Sequence, residues 1–309
     1  MIISASRRTD IPAFYSDWFI NRIREGFCLL QNPYNKKQVR KVDLSPDVID
    51  AFIFWTKNPR PMFGKLSKID DMNFDYIFLY TCNDYPEWLE PNIPNIDDRI
   101  NDFRHLSDKL GPKKVIWRYD PIILTSSLNS DFHFETFKRL CSELSDYTKR
   151  VIISFVDLYS FVLKRLKRQI PEGESLFDPL TIKMKVKSLS RKLADIAEFY
   201  KLDIFSCAEL IELSGTGILP GACIDGMYLY SVFEKEFTTK KDPGQREECK
   251  CAISVDIGGY DTCMNQCPYC YALKSQKVLE KNYKSHDPLA PSITGWIEET
   301  KKSQVELNI

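Results

Sequence analysis

The sequence has little of what several classes of protein depend on. It contains only three histidines among 309 residues, and they are scattered, so a histidine-based metal site or a catalytic triad is hard to build. The 43 basic and 43 acidic residues cancel, and overall charge therefore gives no argument for a polyanionic partner. No run approaches the roughly 18 apolar residues that cross a bilayer, and residues 1–8 lack the pattern of a secretion signal. We expect a cytoplasmic protein with no membrane partner.

Cysteine, by contrast, is plentiful and unevenly placed. Three of the ten cysteines fall in the first two-thirds of the chain, in apolar patterns typical of core thiols. Seven fall in the last third: Cys207, Cys223, Cys249, Cys251, Cys263, Cys267 and Cys270. Disulfides rarely persist in a reducing compartment. The clustering therefore indicates metal binding in a cysteine-rich segment, residues 207–272.

Short β-rich apolar runs alternate with amphipathic helical patterns along the chain. The predicted strands are residues 2–6, 51–56, 76–82, 115–119, 151–156, 202–207 and 252–257. The predicted helices are residues 12–26, 47–50, 97–110, 133–147 and 182–200. Nearly continuous apolar strands are typical of a sheet covered on both faces. The pattern predicts one α/β domain over residues 1–309, with a parallel sheet closed or partly closed into a (β/α) barrel. A doubly wound open sheet is the competing arrangement.

Polar residues concentrate directly after these strands, most clearly in residues 6–10, 56–58, 81–84 and 118–120. The carboxyl ends of parallel strands form the ligand-binding face of α/β folds. We therefore expect these polar segments to surround one binding site. Asp157 and Glu209 also follow strands, where they could act as general acids or bases. Carboxylates end many strands for purely structural reasons, and that interpretation stays open for both.

Residues 263–270 (CMNQCPYC) place three cysteines in one short loop. The spacing Cys-x3-Cys-x2-Cys lets Cys263, Cys267 and Cys270 each bind a different iron of one 4Fe–4S cluster, and it leaves the fourth iron without a protein ligand. A small molecule can then bind that iron. Structural zinc needs four ligands, and Cys249 or Cys251 upstream would supply the fourth, so zinc stays an alternative.

Four further cysteines form a second candidate set. Cys207, Cys223, Cys249 and Cys251 have the count needed for a closed zinc site or a second, fully ligated iron–sulfur cluster. Their spacing, with 15 and 25 intervening residues before a Cys-x-Cys, matches no compact zinc module. The alternative is that Cys207 and Cys223 are small buried hydrophobic residues.

The cysteine loop, with the aromatic Tyr269 before its last cysteine, resembles the signature of radical S-adenosylmethionine enzymes. In that superfamily the open iron binds the amino and carboxylate groups of S-adenosylmethionine. An electron from the cluster cleaves the sulfonium group, and the resulting 5′-deoxyadenosyl radical abstracts a substrate hydrogen. The resemblance implies a 4Fe–4S cluster, S-adenosylmethionine and a flavodoxin- or ferredoxin-like reductant as partner. It leaves the substrate unidentified.

A broader resemblance runs along the whole chain. Residues 4–12 (SASRRTDIP), 54–59 (FWTKNP) and 117–121 (WRYDP), with the cysteine-rich end, are similar to an uncharacterised bacterial family, domain of unknown function 1848. Residues 117–122 and 267–272 also faintly resemble the spore photoproduct lyase group, whose members repair DNA. The basic residues 164–168 (KRLKR) could contact nucleic-acid phosphates, but a solvated helix face is the better interpretation.

The cysteine loop follows the last predicted strand, whereas radical enzymes place it after the first. The resemblance therefore implies a circular permutation, in which residues 252–257 lie beside residues 2–6. Under that order, the loop after the N-terminal strand binds the cofactor. Arg7 or Arg8 would bind its carboxylate, and Thr9 or Asp10 would accept a hydrogen bond from its ammonium group. The alternative is that the two arginines cap a strand and pair with surface acids.

Residues 117–121 end a strand with a cation, a phenol and a carboxylate. Arg118 could contact the cofactor or an anionic substrate, and Asp120 could bind a ribose, although a structural salt bridge under a proline turn explains the pair almost as well. The sequence as a whole thus predicts a radical S-adenosylmethionine enzyme. The competing hypothesis is a non-catalytic zinc or iron–sulfur module that binds nucleic acid or a protein partner.

Overall fold

The structure, a computed structural model, describes residues 1–35 and 37–299. Its strands are, in chain order, β1 (Ile2–Ala5), β2 (Phe27–Gln31), β3 (Val39–Asp43), β4 (Ala51–Thr56), β5 (Tyr76–Thr81), β6 (Val115–Ile122), β7 (Arg150–Phe155), β8 (Asp203–Cys207), β9 (Leu219–Gly221) and β10 (Val255–Asp256). Its helices are α1 (Ile11–Phe14), α2 (Ser16–Glu25), α3 (Leu66–Asp70), α4 (Ile96–Leu110), α5 (Ser130–Leu144), α6 (Ser160–Gln169), α7 (Lys183–Phe199), α8 (Gly226–Phe233) and α9 (Gln276–Ser285). Short 3-10 helices span Arg60–Lys65, Ser145–Tyr147 and Pro179–Thr181.

Eight of the strands form one sheet in the order β10-β1-β4-β5-β6-β7-β8-β9, and every neighbouring pair is parallel. Each of the seven predicted strands is present, and the mostly parallel α/β fold is confirmed. The last predicted strand is shorter than expected, and β9 was not predicted because its three residues, Leu-Pro-Gly, carry no strand pattern. The predicted domain also includes residues 36 and 300–309, which lie outside the described residues.

The strand order bears directly on the predicted permutation. Strand β1 pairs with β10 on one side, where Ile3 lies opposite Val255, and with β4 on the other. Two segments about 250 residues apart in the chain are therefore neighbours in the sheet. The strands β10 and β9 stand at the two edges of this order. Closure of the sheet into a barrel is not shown.

The helix prediction is right where the amphipathic pattern is long. α4 begins at the cap residue Asn95, whose side chain accepts from the amide of Asp98, and α2 ends at Gly26, which adopts a positive φ of 74°. The helix predicted over residues 47–50 is wrong. The amides of Val48 and Ile49 both donate to the carbonyl of Ser45, forming a turn that leads directly into β4.

Several elements were not predicted, although α6 and α9 have a clear amphipathic pattern. The helices α3, α6, α8 and α9 belong to this group, as does the antiparallel hairpin of β2 and β3. The hairpin lies outside the main sheet and is tied to the C-terminal region, because the amide of Leu29 donates to the carbonyl of Pro291.

The two faces of the sheet carry different cores. On one face, side chains such as Phe52, Phe78 and Trp117 pack against the helices. On the other, Ile53 and Ile77 pack with residues 222–224 and 249–252, which cross this face. The amide of Ala252 donates 2.9 Å to the carbonyl of Ile224, so a backbone hydrogen bond links the segments that follow β9 and precede β10.

Candidate metal and cofactor site

A cavity of about 440 Å³ opens at the carboxyl ends of the parallel strands. Its volume is in the range of small-molecule sites. The cavity wall contains every residue that the sequence singled out for cofactor or metal binding: Arg7, Arg8, Thr9, Asp10, Arg118, Asp120, Cys207, Cys223, Cys249, Cys251, Cys263, Cys267 and Cys270. The fold thus brings together segments from both ends and the middle of the chain. Their individual roles stay predictions.

Asp256 joins β10 to the loop that follows β1. Its carboxylate accepts hydrogen bonds from the hydroxyl groups of Ser4 (2.8 Å) and Ser6 (2.6 Å) and from the amide of Arg7 (2.9 Å). This arrangement fixes the start of the loop beside the strand that leads to the cysteine loop. Sequence analysis missed Asp256, although it is the only charged residue in the apolar run 252–257, and an acid in such a run is a signal for a buried polar contact.

Asp10 connects this loop to two other segments. Its carboxylate accepts from the amides of Ala13 (3.1 Å) and Lys57 (2.7 Å) and from the side-chain amide of Asn265 (3.1 Å), which belongs to the cysteine loop. Burial raises the pKa of Asp10 to about 6, against the hydrogen bonds that lower it. Asp10 therefore has a structural role in joining the loops, whether or not it also contacts a cofactor.

Tyr269 anchors the second half of the cysteine loop. Its hydroxyl group donates 2.6 Å to Glu90, a buried carboxylate that also accepts from Lys57 (2.8 Å) and Arg99 (2.9 Å). Burial would raise the pKa of Glu90, but the charges of Lys57 and Arg99 outweigh it and hold the pKa below its ordinary value. Sequence analysis gave no role to Glu90 or Arg99, since neither lies directly after a strand.

Arg165 of α6 also supports the cysteine loop. Its guanidinium group donates to the backbone carbonyls of Pro268 (2.6 Å), Cys270 and Leu273. The solvated helix face predicted for residues 164–168 is therefore wrong at Arg165, although Lys164, Lys167 and Arg168 are exposed. The planar guanidinium group has several N–H donors, so one side chain can bind several carbonyl groups of the loop at once.

The three loop thiols face the cavity, with Cys267 buried and Cys263 and Cys270 partly exposed. Burial raises the pKa of Cys267 to about 12, against the charge of Lys57, which lowers it. Burial raises the pKa of Cys270 as well. These thiols favour their protonated form when no cation is bound, so metal binding would release protons and hold the thiolates.

Within the loop after β1, Arg7, Arg8 and Thr9 differ in how many contacts their side chains already make. The guanidinium group of Arg7 is 3.3 Å from the hydroxyl group of Ser254 and lies over the ring of Trp55. That of Arg8 lies over the ring of Tyr260. The hydroxyl oxygen of Thr9 is buried and has no hydrogen-bond partner within residues 1–35 and 37–299. Arg8 and Thr9 thus keep free hydrogen-bonding capacity at the cavity.

Arg118 and Asp120 form an ion pair in the cavity wall, and the hydroxyl group of Ser154 donates to Asp120. Burial would lower the pKa of Arg118, but the charge of Asp120 and the thiols of Cys223 and Cys207 raise it above its ordinary value. The pair therefore faces the second set of cysteines. The structural salt bridge weighed from the sequence is present, and a contact with cofactor or substrate stays a prediction.

The second set of cysteines is gathered in one place. The sulfur atoms of Cys207 and Cys223 are 3.2 Å apart, and both lie within 4.8 Å of the sulfur of Cys251. The thiol of Cys249 interacts with that of Cys251, but its sulfur lies outside this group of three. All ten cysteines are free. Cys223 also belongs to an apolar core against which Cys207 packs, so the alternative that the two are buried hydrophobic residues stays open.

The two candidate acids take different positions. Glu209 accepts from the amides of Phe155 (2.9 Å), the last residue of β7, and Ile211 (3.2 Å). Asp157 lines the cavity, where it pairs with Arg246 at 2.5 Å. The structure favours a structural role for Glu209 and places only Asp157 at the cavity.

Fold and site together define a parallel α/β protein whose strand ends surround a cavity with two groups of cysteines. A family model described as "Domain of unknown function (DUF1848)" matches residues 2–272, and the chain belongs to that family. A search of curated proteins and a search of solved structures found no match. Within the described part of the chain, none of the helices is both long enough and apolar enough to cross a membrane.

Proposed function

We propose that this chain is a radical S-adenosylmethionine enzyme in which Cys263, Cys267 and Cys270 hold a 4Fe–4S cluster. The observation that carries the proposal is the parallel pairing of β1 with β10, which makes the loop after β1 and the cysteine loop walls of one cavity. A three-cysteine cluster has an open iron, and this neighbouring loop supplies the groups that would bind a molecule on that iron.

The residues present fit such a cluster and its ligand. Three thiols on one loop face the cavity, and a cubane spaces its ligands more widely than a single ion does. Beside them, the hydroxyl oxygen of Thr9 and the amide oxygen of Asn265 are buried and lack partners within the described ranges. Unpaired buried acceptors are costly unless a ligand satisfies them. Both atoms suit the ammonium group of an amino-acid ligand.

The protein's own contribution is binding and orientation. When bound, the cluster and S-adenosylmethionine supply one-electron chemistry that ends in abstraction of a substrate hydrogen atom. Arg165, Tyr269 and Asp10 fix the cysteine loop by hydrogen bonds. Arg8 presents a guanidinium group suited to a carboxylate, which it can bind through two parallel hydrogen bonds.

The proposal includes the arrangement of the sheet. We infer a partly closed barrel in which β10 takes the position of the usual first strand and β1 that of the second. The hydrogen bond between Ala252 and Ile224, which links the segments after β9 and before β10, supports this arrangement. The reaction also requires a reductant, for which a flavodoxin- or ferredoxin-like protein is the proposed partner, and we propose a cytoplasmic location.

The test uses the full chain, purified and reconstituted with iron and sulfide under anaerobic conditions. On reduction, the paramagnetic resonance signal of the cluster should change when S-adenosylmethionine is added, and 5′-deoxyadenosine should accumulate. The variant Cys267→Ala should lose both responses. Cys141→Ala, which alters a buried core thiol, should keep them. A cysteine loop that holds zinc and no iron after anaerobic purification would overturn the proposal in favour of a non-catalytic metal module.

A further inference from the structure

We propose that Cys207, Cys223, Cys249 and Cys251 bind a single metal ion with tetrahedral thiolate ligation, of the zinc class, at a closed site separate from the cysteine loop. The four residues come from three parts of the chain. Cys207 ends β8, Cys223 follows β9, and the other two precede β10. The site stands on its own geometry and does not depend on the radical reaction.

The sulfur positions fit one ion. Four thiolates at about 2.3 Å from a tetrahedral zinc ion lie about 3.8 Å from one another. Cys207 and Cys223 are 3.2 Å apart, and both are within 4.8 Å of Cys251. Cys251 is central, since its thiol contacts those of Cys207, Cys223 and Cys249. We assign the fourth corner to Cys249, whose thiol interacts with that of Cys251 but whose sulfur lies outside the group of three within 4.8 Å of one another, so its side chain would turn toward the ion on binding.

A disulfide and a cubane cluster both fit this geometry less well than a single ion does. A disulfide between Cys207 and Cys223 would need a separation of about 2.05 Å, well below the 3.2 Å observed. A 4Fe–4S cubane places each thiolate on a different iron and so spreads the sulfur atoms more widely. Three sulfur atoms within 4.8 Å of one another leave no room for a cubane between them.

The surroundings are suited to a charged thiolate site. A divalent ion with four thiolates carries an excess of two negative charges. Two guanidinium groups, of Arg7 and Arg118, lie within electrostatic reach of Cys223. The backbone amide of Ile224 also points at the sulfur of Cys251, at 3.5 Å. Cationic groups and amide donors around bound sulfur are the partners that fix metal ligands and offset their charge.

A closed site has a structural role, because four protein ligands leave no position for substrate. Here the ion would join β8, the segment after β9 and the segment before β10. It would also set Arg7 and Arg118 as fixed charges in the cavity wall. The proposed metal site therefore shapes the cavity as well as stabilising the fold.

The experiment uses a full-chain variant, Cys263→Ala/Cys267→Ala/Cys270→Ala, which removes the cysteine loop as a ligand and keeps the four other cysteines. The expected result is one zinc ion per chain by elemental analysis. When cobalt(II) replaces zinc, it should give the intense visible bands of tetrahedral thiolate ligation. Adding Cys251→Ala should abolish both, whereas adding Cys28→Ala, a buried core thiol outside both groups, should leave both unchanged.

Several outcomes would overturn the proposal. They are iron–sulfur absorption that persists in the triple variant, four titratable thiols with no metal bound, and two thiols that become titratable only after reduction. Because the triple variant retains the complete site, these results do not depend on whether Cys251→Ala folds. Zinc binding without any response of the wild type to S-adenosylmethionine would contradict only the radical reaction. A response of the wild type to S-adenosylmethionine, with no zinc bound by the triple variant, would contradict only the four-cysteine site.

Discussion

The hydroxyl group of Tyr269, in the cysteine loop, donates a 2.6 Å hydrogen bond to the carboxylate of Glu90, which lies 179 residues earlier in the chain. Glu90 also pairs with Lys57 and Arg99, and the side chains of Glu90 and Arg99 are only 2% and 3% exposed. One buried carboxylate thus joins the cysteine loop to the segment after β4 and to α4. The two cations and the phenol of Tyr269 all contact this carboxylate, so its negative charge is compensated and its oxygens accept hydrogen bonds.

Replacing Glu90 by glutamine should destabilise the protein strongly. The change leaves the buried charges of Lys57 and Arg99 without a counter-ion, and breaking a buried ion pair costs about 3–5 kcal/mol. The free energy of unfolding, measured in denaturant, is the readout. Asp98→Asn provides the control, because its ion pair with Arg60 is exposed and should contribute about 0–1 kcal/mol. Equal effects of the two changes would contradict the role given to Glu90.

Replacing Arg165 by alanine should weaken binding of the proposed iron–sulfur cluster by the cysteine loop. The loop carbonyls of Pro268, Cys270 and Leu273 would lose their donor, so the thiolates would be less well placed for a cluster. We expect lower iron content after anaerobic reconstitution and faster iron loss to a chelator. Arg168→Ala removes an exposed charge from the same helix and should behave as the wild type. Similar iron loss in both variants would indicate a general charge effect.

Replacing Arg8 by alanine should weaken binding of S-adenosylmethionine to the reconstituted protein. A hydrogen bond to a charged group contributes about 1.5–3 kcal/mol, which corresponds to roughly 10- to 150-fold in Kd. Calorimetric titration gives the affinity, and the absorption spectrum shows whether the cluster is intact. Arg24→Ala, an exposed arginine of α2, is the matched control. Unchanged affinity with an intact cluster would remove the role of Arg8 and leave the fold as described.

The buried His133 should make stability depend on pH. Its Nε2 is 2.9 Å from the carbonyl of Ile123, so Nε2 carries the proton and Nδ1 accepts from the hydroxyl group of Tyr119 at 2.8 Å. Burial lowers the pKa of His133 from its ordinary 6.5 to about 4. Between these values the unfolded chain binds a proton that the folded protein does not. The free energy of unfolding should therefore fall as the pH falls from about 6.5 to about 4, by about 3 kcal/mol.

The variant His133→Asn tests this dependence through its slope. It should unfold more easily at every pH, because two hydrogen bonds change, but the dependence between pH 4 and 6.5 should become shallower. His105→Asn, which removes an exposed histidine, should leave the slope unchanged. An equal slope in the wild type and His133→Asn would assign the pH dependence to other groups.

The hydrophobic pattern of short segments was sufficient to predict the central strands of the sheet. Strands such as β4 and β5 are buried on both faces, so their apolar runs are unbroken and easy to read. The helix predicted over residues 47–50 failed because the amides of Val48 and Ile49 both donate to the carbonyl of Ser45, which closes a turn before β4. The strand β9 was missed because it is held only by pairing with β8.

At the candidate site, some contacts could be predicted from the sequence and others could not. The pairing of residues 252–257 with residues 2–6 followed from the expected position of the cysteine loop, and the structure shows β10 beside β1. The residues that fix the cysteine loop through hydrogen bonds could not be predicted from the sequence. Glu90 and Arg165 are ordinary polar residues in their local context, and their function depends on partners more than 100 residues away.

The sequence by itself determined the number and spacing of the cysteines, the alternation of strands with helices, and the polar residues at strand ends. These are properties of short segments, which period and residue type specify. Only the tertiary structure decided that Cys207, Cys223, Cys249 and Cys251 meet, and that Arg7 and Arg118 face them. The reason is physical: thiols separated by 15 and 25 residues meet only when the strands that carry them pair in one order, and strand order is set by packing of the whole sheet.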